Sequence, residues 1–311
     1  MHFLRITGLV MASLIACSTQ ARVTKIQIDQ VQMLPDNMSG GVPTEQIAGR
    51  AFGELDPKLP TNSLINDIEY VKDADGKVRY VATFVITKPV NAKQASGLMW
   101  HEVPNRGNKR PNVIDERKNG DIDLTSAWQG DNSGATAVRE TAGVDKPHWL
   151  KLPIARQADG TPFTGDVFGR IVNRSGPASQ PLIVQSNPVP YKPLSLDTQK
   201  SRLTARVAES TRGEVIGETE IPSSEWAWAK CDANNPFPGT PDPSQICLKS
   251  GFNASKLYQV VYRSAEPYAL GIGFAAWRDV GHFFKTAKAD DAGTPNPIAG
   301  MATHSIGRGV S

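Results

Sequence analysis

The last three residues of the sequence carry the first pattern that could do chemistry. Gly309-Val310-Ser311 is the opening half of a Gly-x-Ser-x-Gly motif. Small residues flank a nucleophilic serine in this motif because a sharp strand-to-helix turn exposes the hydroxyl. A serine of this kind, activated by a neighbouring base, attacks the carbonyl carbon of an ester. We therefore predict Ser311 as a candidate nucleophile.

A second serine six residues earlier is an alternative nucleophile. Ser305 lies within Thr303-His304-Ser305-Ile306-Gly307, which is a complete small-x-Ser-x-Gly sequence. We also expect residues 298–311 to form a strand of small residues. The competing interpretation of Ser305 is therefore a serine inside a buried strand, with no chemical role.

Five further stretches of the sequence, taken together with this motif, resemble a known protein family. They are IAGRAFGELDP (47–57), YVATF (80–84), VPNRG (103–107), WQGD (128–131) and LGIGFAAWRD (270–279). In this order, and with the final Gly-Val-Ser, they resemble a family of secreted bacterial proteins with an α/β-hydrolase domain. The resemblance covers most of the chain after its first 21 residues. It implies hydrolysis of a small-molecule carboxylic ester, with Ser311 as the nucleophile.

The resemblance also implies an oxyanion-binding loop and the position of the missing catalytic partners. In this fold one oxyanion donor comes from the loop after the third strand, which corresponds here to Asn105, Arg106 and Gly107. The catalytic acid and histidine follow the serine in the chain order of these enzymes. We therefore expect the sequence to be a fragment that ends at its nucleophile and hydrolyses esters barely or not at all.

Hydrophobic periodicity predicts the elements that would position these residues. Alternating or β-branched runs at 23–28, 68–71, 78–86, 97–103 and 122–128 indicate strands, with a hairpin turn at 73–77. Apolar residues at helical spacing indicate a helix over 274–284. We predict an α/β fold, a partial hydrolase sheet with one long helix. The predicted segments are a signal segment (1–21), two parts of the core (22–131 and 266–311) and a large β-rich insertion (132–265).

The first residues are typical of an export signal. Arg5 precedes an apolar or small-residue run at 6–16, which is too short to cross a bilayer as a helix. Leu14-Ile15-Ala16-Cys17 fits a lipobox, in which Cys17 would be lipidated and would be the protein's only attachment to a membrane. Alternatively, cleavage follows Ala21. Both alternatives predict a periplasmic or extracellular protein.

Export gives the remaining cysteines a structural interpretation. Cys231 and Cys247 flank a segment rich in Pro, Asn and Asp, which has little hydrophobic core of its own. In an oxidising compartment a disulfide between these two cysteines would stabilise the segment. We predict this disulfide.

Charge and motif spacing argue against several other function classes. The 34 basic and 31 acidic residues are scattered, so nothing indicates a nucleic-acid partner. The Gly-x-Gly-x-x-Ala sequence at 271–276 lacks an enclosing βαβ unit, so we expect its glycines to allow close helix packing instead of binding a dinucleotide. No histidine or cysteine spacing predicts a metal, and we expect no cofactor.

The alternative function is a non-enzymatic exported binding protein on a vestigial hydrolase scaffold.

Overall fold

Strands dominate the structure of the chain. A computed structural model describes residues 22–108, 111–131, 141–172, 178–182, 191–265 and 267–309. The strands are β1 (Arg22–Met33), β2 (Thr44–Leu55), β3 (Val78–Pro89), β4 (Leu98–Val103), β5 (Ile122–Ser126), β6 (Leu150–Lys151), β7 (Thr164–Val172), β8 (Ser179–Pro181), β9 (Ser201–Arg206), β10 (Ala208–Glu209), β11 (Val215–Ile216), β12 (Thr219–Ile221), β13 (Trp226–Lys230), β14 (Thr240–Leu248), β15 (Leu257–Ala265) and β16 (His304–Gly309). The α-helices of these ranges are α1 (Asp36–Ser39), α2 (Ile114–Asn119) and α3 (Ile272–Thr286).

The main sheet has the strand order β1-β2-β3-β5-β4-β16, with β6 also pairing with β3. Its central strand, β3, is β-branched and aromatic and is buried along nearly all its length, as expected for a strand covered on both faces. Helix α3 packs on this sheet, where Phe284 meets Phe84 with ring centroids 4.7 Å apart. This packing forms the larger hydrophobic core of the molecule.

The predicted α/β fold class is wrong. In the described ranges strands far outnumber helices, and α3 is the one α-helix longer than six residues. Parallel pairing is confined there to β5 with β4 and β4 with β16, and every other strand pair is antiparallel. The physical reason is the connections: most strands are joined by turns and irregular segments, which favour antiparallel neighbours over helix-linked parallel ones.

The predicted hairpin between 68–71 and 78–86 is also wrong. Ile68–Val71 is a single 3₁₀ turn, and its preceding residue Asp67 has a left-handed backbone with φ of 63°. Strand β2 pairs with β3 along its whole length on one side, and β6 and β5 pair with its residues 81–87 on the other. The left-handed residue and the 3₁₀ turn keep 68–71 from being the extended segment that a hairpin with β3 requires.

A second hydrophobic core lies within residues 167–262. It forms between the sheet β12-β9-β15-β7 and the sheet β13-β14-β8, around Trp226, Trp228 and Tyr262. The Cys231–Cys247 disulfide lies beside it, with the two Cα atoms 5.7 Å apart. The predicted disulfide is therefore present, while the insertion boundaries at 132 and 265 stay predictions.

Candidate active site

Parallel pairing brings the ends of β4 and β16 to the same edge of the main sheet. Gly309 is the register partner of Val103, and Arg308 is the partner of Glu102. A Cβ at position 309 would lie 3.3 Å from the Val103 Cβ, so glycine permits this close pairing. The loop after β4 therefore starts beside Gly309, the last described residue of β16. Ser311, the predicted nucleophile, lies outside the described residues.

The loop after β4 has an unusual backbone. Asn105–Gly107 is a 3₁₀ turn in which Arg106 (φ 51°) and Gly107 (φ 78°) are both left-handed. A left-handed conformation costs a residue with a side chain roughly 1–2 kcal/mol, and such strain clusters at functional sites. The surrounding structure must therefore stabilise the loop in this conformation.

Hydrogen bonds from neighbouring segments hold the loop. The Arg106 N–H donates to Gln129 Oε1 at 2.7 Å, and the Trp128 indole N–H donates to the Pro104 carbonyl at 2.8 Å. The His148 N–H donates to the Gly107 carbonyl at 2.8 Å. Of the three predicted oxyanion-loop residues, Arg106 thus already uses its amide on Gln129. An oxyanion would have to displace that side chain to reach it.

The first turn of α3 packs against the same edge. A Cβ at Gly273 would lie 1.7 Å from the Trp128 carbonyl oxygen, and one at Gly271 would lie 3.1 Å from Ile65 Cγ2. Contact with a backbone oxygen at 1.7 Å is impossible, so position 273 requires glycine. The interpretation of the Gly-x-Gly-x-x-Ala sequence as a close-packing device is confirmed.

A serine–histidine pair lies beneath this edge, in the core. His101 Nε2 is 2.9 Å from Ser126 Oγ, and the imidazole stacks on the Trp277 ring at 4.1 Å between centroids. Ser126 is fully buried, and burial lowers the pKa of His101 to about 3. A substrate cannot reach this pair, so it is a neutral hydrogen-bonded core contact. Sequence spacing contained no signal for it, because 25 residues separate the two side chains.

The other face of β4 and β16 carries a cluster of charges. Arg308 donates to both carboxylate oxygens of Glu116, at 2.6 and 2.9 Å, and to Asp123 at 3.0 Å. It also pairs with Glu102, and its guanidinium lies 4.3 Å from the Trp100 ring centroid. No local pattern in the sequence indicates this cluster, because its members come from three distant parts of the chain. The cluster anchors β16 directly before Gly309.

The alternative nucleophile Ser305 does not occupy a turn. It is the second residue of β16, where it is exposed and pairs in register with Met99. The strand continues regularly to Gly309, so the sharp bend that presents a nucleophilic serine is absent at 305. Ser305 is also not buried, in contrast to the competing interpretation of it as a buried strand serine.

Other kinds of site find little support in the residues described. They contain no group of three or more His, Cys, Asp or Glu side chains arranged to hold a metal ion. None of their helices has the length and apolar character needed to cross a bilayer. Cys17 and the signal segment lie outside the ranges that the structure covers. Comparisons of the chain with protein-family models, curated proteins and solved structures found no match.

Proposed function

We propose that this protein is an exported serine hydrolase that cleaves carboxylic esters, with Ser311 as its nucleophile. The observation that carries the proposal is the parallel register of Gly309 with Val103. Ser311 follows Gly309 by two residues, which span at most about 7 Å of extended chain. Adjacent strands are about 4.8 Å apart. The serine is therefore within reach of the left-handed loop at Asn105–Gly107.

In the proposed reaction the Ser311 hydroxyl attacks the ester carbonyl carbon. Its proton passes to a general base, and the carbonyl oxygen becomes an oxyanion that backbone N–H groups near Gly107 stabilise. The C–O bond to the alcohol then breaks, the alcohol takes the proton, and the acyl group stays on the serine. Water then releases the acyl group as a carboxylic acid.

The test is hydrolysis of p-nitrophenyl butyrate by protein expressed from its intact gene. We expect turnover that Ser311→Ala reduces by at least about 10³-fold, since removing a triad nucleophile leaves only residual catalysis. Ser305→Ala is the matched control and should keep its rate. Equal rates for Ser311→Ala and the unmodified protein would rule out Ser311 as the nucleophile.

One observation supports export. The Cys231–Cys247 disulfide is typical of proteins from oxidising compartments. The mass of the mature N-terminal peptide distinguishes the two routes. Cleavage after Ala21 leaves an unmodified Arg22, whereas lipidation leaves a diacylglyceryl group on Cys17. An N-terminus that retains residues 1–16 would contradict export by either route.

A further inference from the structure

An open groove lies beside the start of α3, and we name it the Phe274 groove. It is lined by Leu64, Ile65, Leu270, Phe274 and Arg278, among other residues, and encloses about 610 Å³. This volume falls in the range of small-molecule sites, which are mostly apolar with a few polar groups. The groove is therefore large enough to hold part of a small ligand.

The apolar side chains of the groove are exposed to an unusual degree. Leu64 is 86% exposed, Phe274 is 69% exposed and Leu270 is 39% exposed. Single exposed apolar residues are normal in soluble proteins, but apolar residues gathered around one concavity mark a binding surface. A ligand that fills the groove would remove this surface from water.

The groove adjoins the candidate active site through one aromatic contact. The Phe274 ring lies 5.4 Å from the Trp128 ring, and the Trp128 indole donates to the Pro104 carbonyl at the start of the loop. Phe274 thus forms a wall of the groove and also packs on the residue that holds the loop. A ligand bound in the groove would therefore extend towards the carboxyl edge of β4.

Two charged side chains line the groove, Asp67 and Arg278, and the Arg278 guanidinium is compensated within the protein. Arg278 Nε donates to Asp279 Oδ1 at 2.8 Å, and Arg278 Nη2 donates to Asn62 Oδ1 at 3.1 Å. A guanidinium bound in this way favours an uncharged ligand group over an anion inside the groove. Apolar walls beside a carboxylate and a compensated guanidinium fit an aliphatic chain better than a phosphate.

We propose that the Phe274 groove binds the aliphatic acyl chain of the ester substrate. The acyl assignment rests on the proposed function, since the groove adjoins the edge at which Ser311 would act. The predicted substrates are esters of medium-chain fatty acids. Acetate esters, which have almost no chain to bury, would gain little from the groove.

Two measurements on the protein test the groove separately from catalysis. Calorimetric titration with octanoate should show binding that Phe274→Ala weakens roughly tenfold, because the acyl chain would no longer bury its surface against the ring. For hydrolysis, Phe274→Ala should lower the ratio of kcat/KM on p-nitrophenyl octanoate to kcat/KM on p-nitrophenyl acetate by a similar factor. Leu64→Ser should also weaken octanoate binding, and it should leave the core intact because Leu64 is 86% exposed.

Phe168→Ala is the matched control, because Phe168 is an equally large ring, 64% exposed, on strand β7 away from the groove. Octanoate binding that depends on Phe274 in a protein that hydrolyses no ester would support the groove and refute the proposed function. Ester hydrolysis without any dependence of chain-length preference on Phe274 would refute the groove and leave the function intact. Failure of octanoate to bind, or equal losses in Phe274→Ala and Phe168→Ala, would also overturn the inference.

Discussion

Burial keeps the His101 imidazole neutral in the native protein. Desolvation lowers its pKa from 6.5 to about 3, while the ring stacks on Trp277 and hydrogen-bonds Ser126. The same ring titrates near 6.5 in the unfolded chain, so between pH 6.5 and about 3 the unfolded state binds a proton that the native state excludes. This contribution to the free energy of unfolding is complete above pH 6.5 and decreases as the pH falls through that window.

Replacing His101 by Phe should flatten the acid dependence of stability. The variant keeps a ring against Trp277 but leaves the Ser126 hydroxyl without its buried partner, so at pH 7 we expect a loss of about 1–2 kcal/mol. The difference from the wild type should then shrink by up to about 1.4 kcal/mol for each pH unit below about 6.5. Urea unfolding at pH 7, 6, 5 and 4 measures this difference in the free energy of unfolding. His282→Gln is the control, at a histidine outside this core contact. Parallel profiles for wild type and His101→Phe would contradict this account.

At the scale of elements, β16 is held by one strand and one charge cluster. In the residues described, β4 is its one pairing partner, and most of its side chains are exposed. Arg308 is the exception, because its side chain is 18% exposed and binds three carboxylates on β4, α2 and β5. The cluster thus stabilises the position of β16, the strand that precedes the proposed nucleophile.

Arg308→Met should therefore loosen β16 more than the rest of the sheet. Removing this cation leaves the carboxylates of Glu102, Glu116 and Asp123 with less compensating charge in a mostly buried site. We expect a loss of about 2–4 kcal/mol in urea unfolding and faster amide exchange within β16. Arg202→Met is the matched control, since Arg202 also binds two carboxylates but is 50% exposed. It should cost under about 1 kcal/mol, and equal losses for the two variants would contradict the role of the cluster.

At the scale of the molecule, the described residues form two main hydrophobic cores that are stabilised in different ways. The larger lies between the main sheet and α3, and the second lies between the two smaller sheets around Trp226 and Trp228. The Cys231–Cys247 disulfide joins β14 to the residue after β13, beside the second core. The two cysteines are 16 residues apart in sequence, so their bond restricts the unfolded chain there.

Breaking this disulfide should destabilise the second core selectively. The double variant Cys231→Ala/Cys247→Ala should lose about 3 kcal/mol of free energy of unfolding, as the length of the closed loop predicts. Hydrogen exchange followed by mass spectrometry should show reduced protection at 226–248, with 80–87 unchanged. Refolding the wild type in reductant should reproduce this effect, while the double variant should not respond to reductant. Equally reduced protection in both cores would show that they unfold as one cooperative unit. It would contradict the prediction that only the second core is destabilised.

Local sequence patterns were sufficient to predict several elements of this protein. The β-branched run at 78–86 predicted β3, helical spacing at 274–284 predicted α3, and cysteine placement predicted the disulfide. In each case the decisive information lies within a few neighbouring residues, or in the small number of possible cysteine pairs. The strand predicted at 68–71 was wrong because its apolar residues are compatible with either a strand or a turn, and the backbone forms a 3₁₀ turn after a left-handed residue.

The tertiary structure alone decided the fold class, the pairing of strands and the surroundings of the candidate site. The strands at 97–103 and 122–128 were predicted, but their parallel pairing depends on the connections between them. Arg308 and Glu102 are 206 residues apart in sequence, and contacts at that separation leave no periodicity in the chain. The sequence by itself indicated most of the long strands, the long helix and the cysteine pair, and it offered two serines as candidate nucleophiles. Long-range packing determined which of these residues meet, because the free energy of such contacts depends on burial and geometry that no local pattern contains.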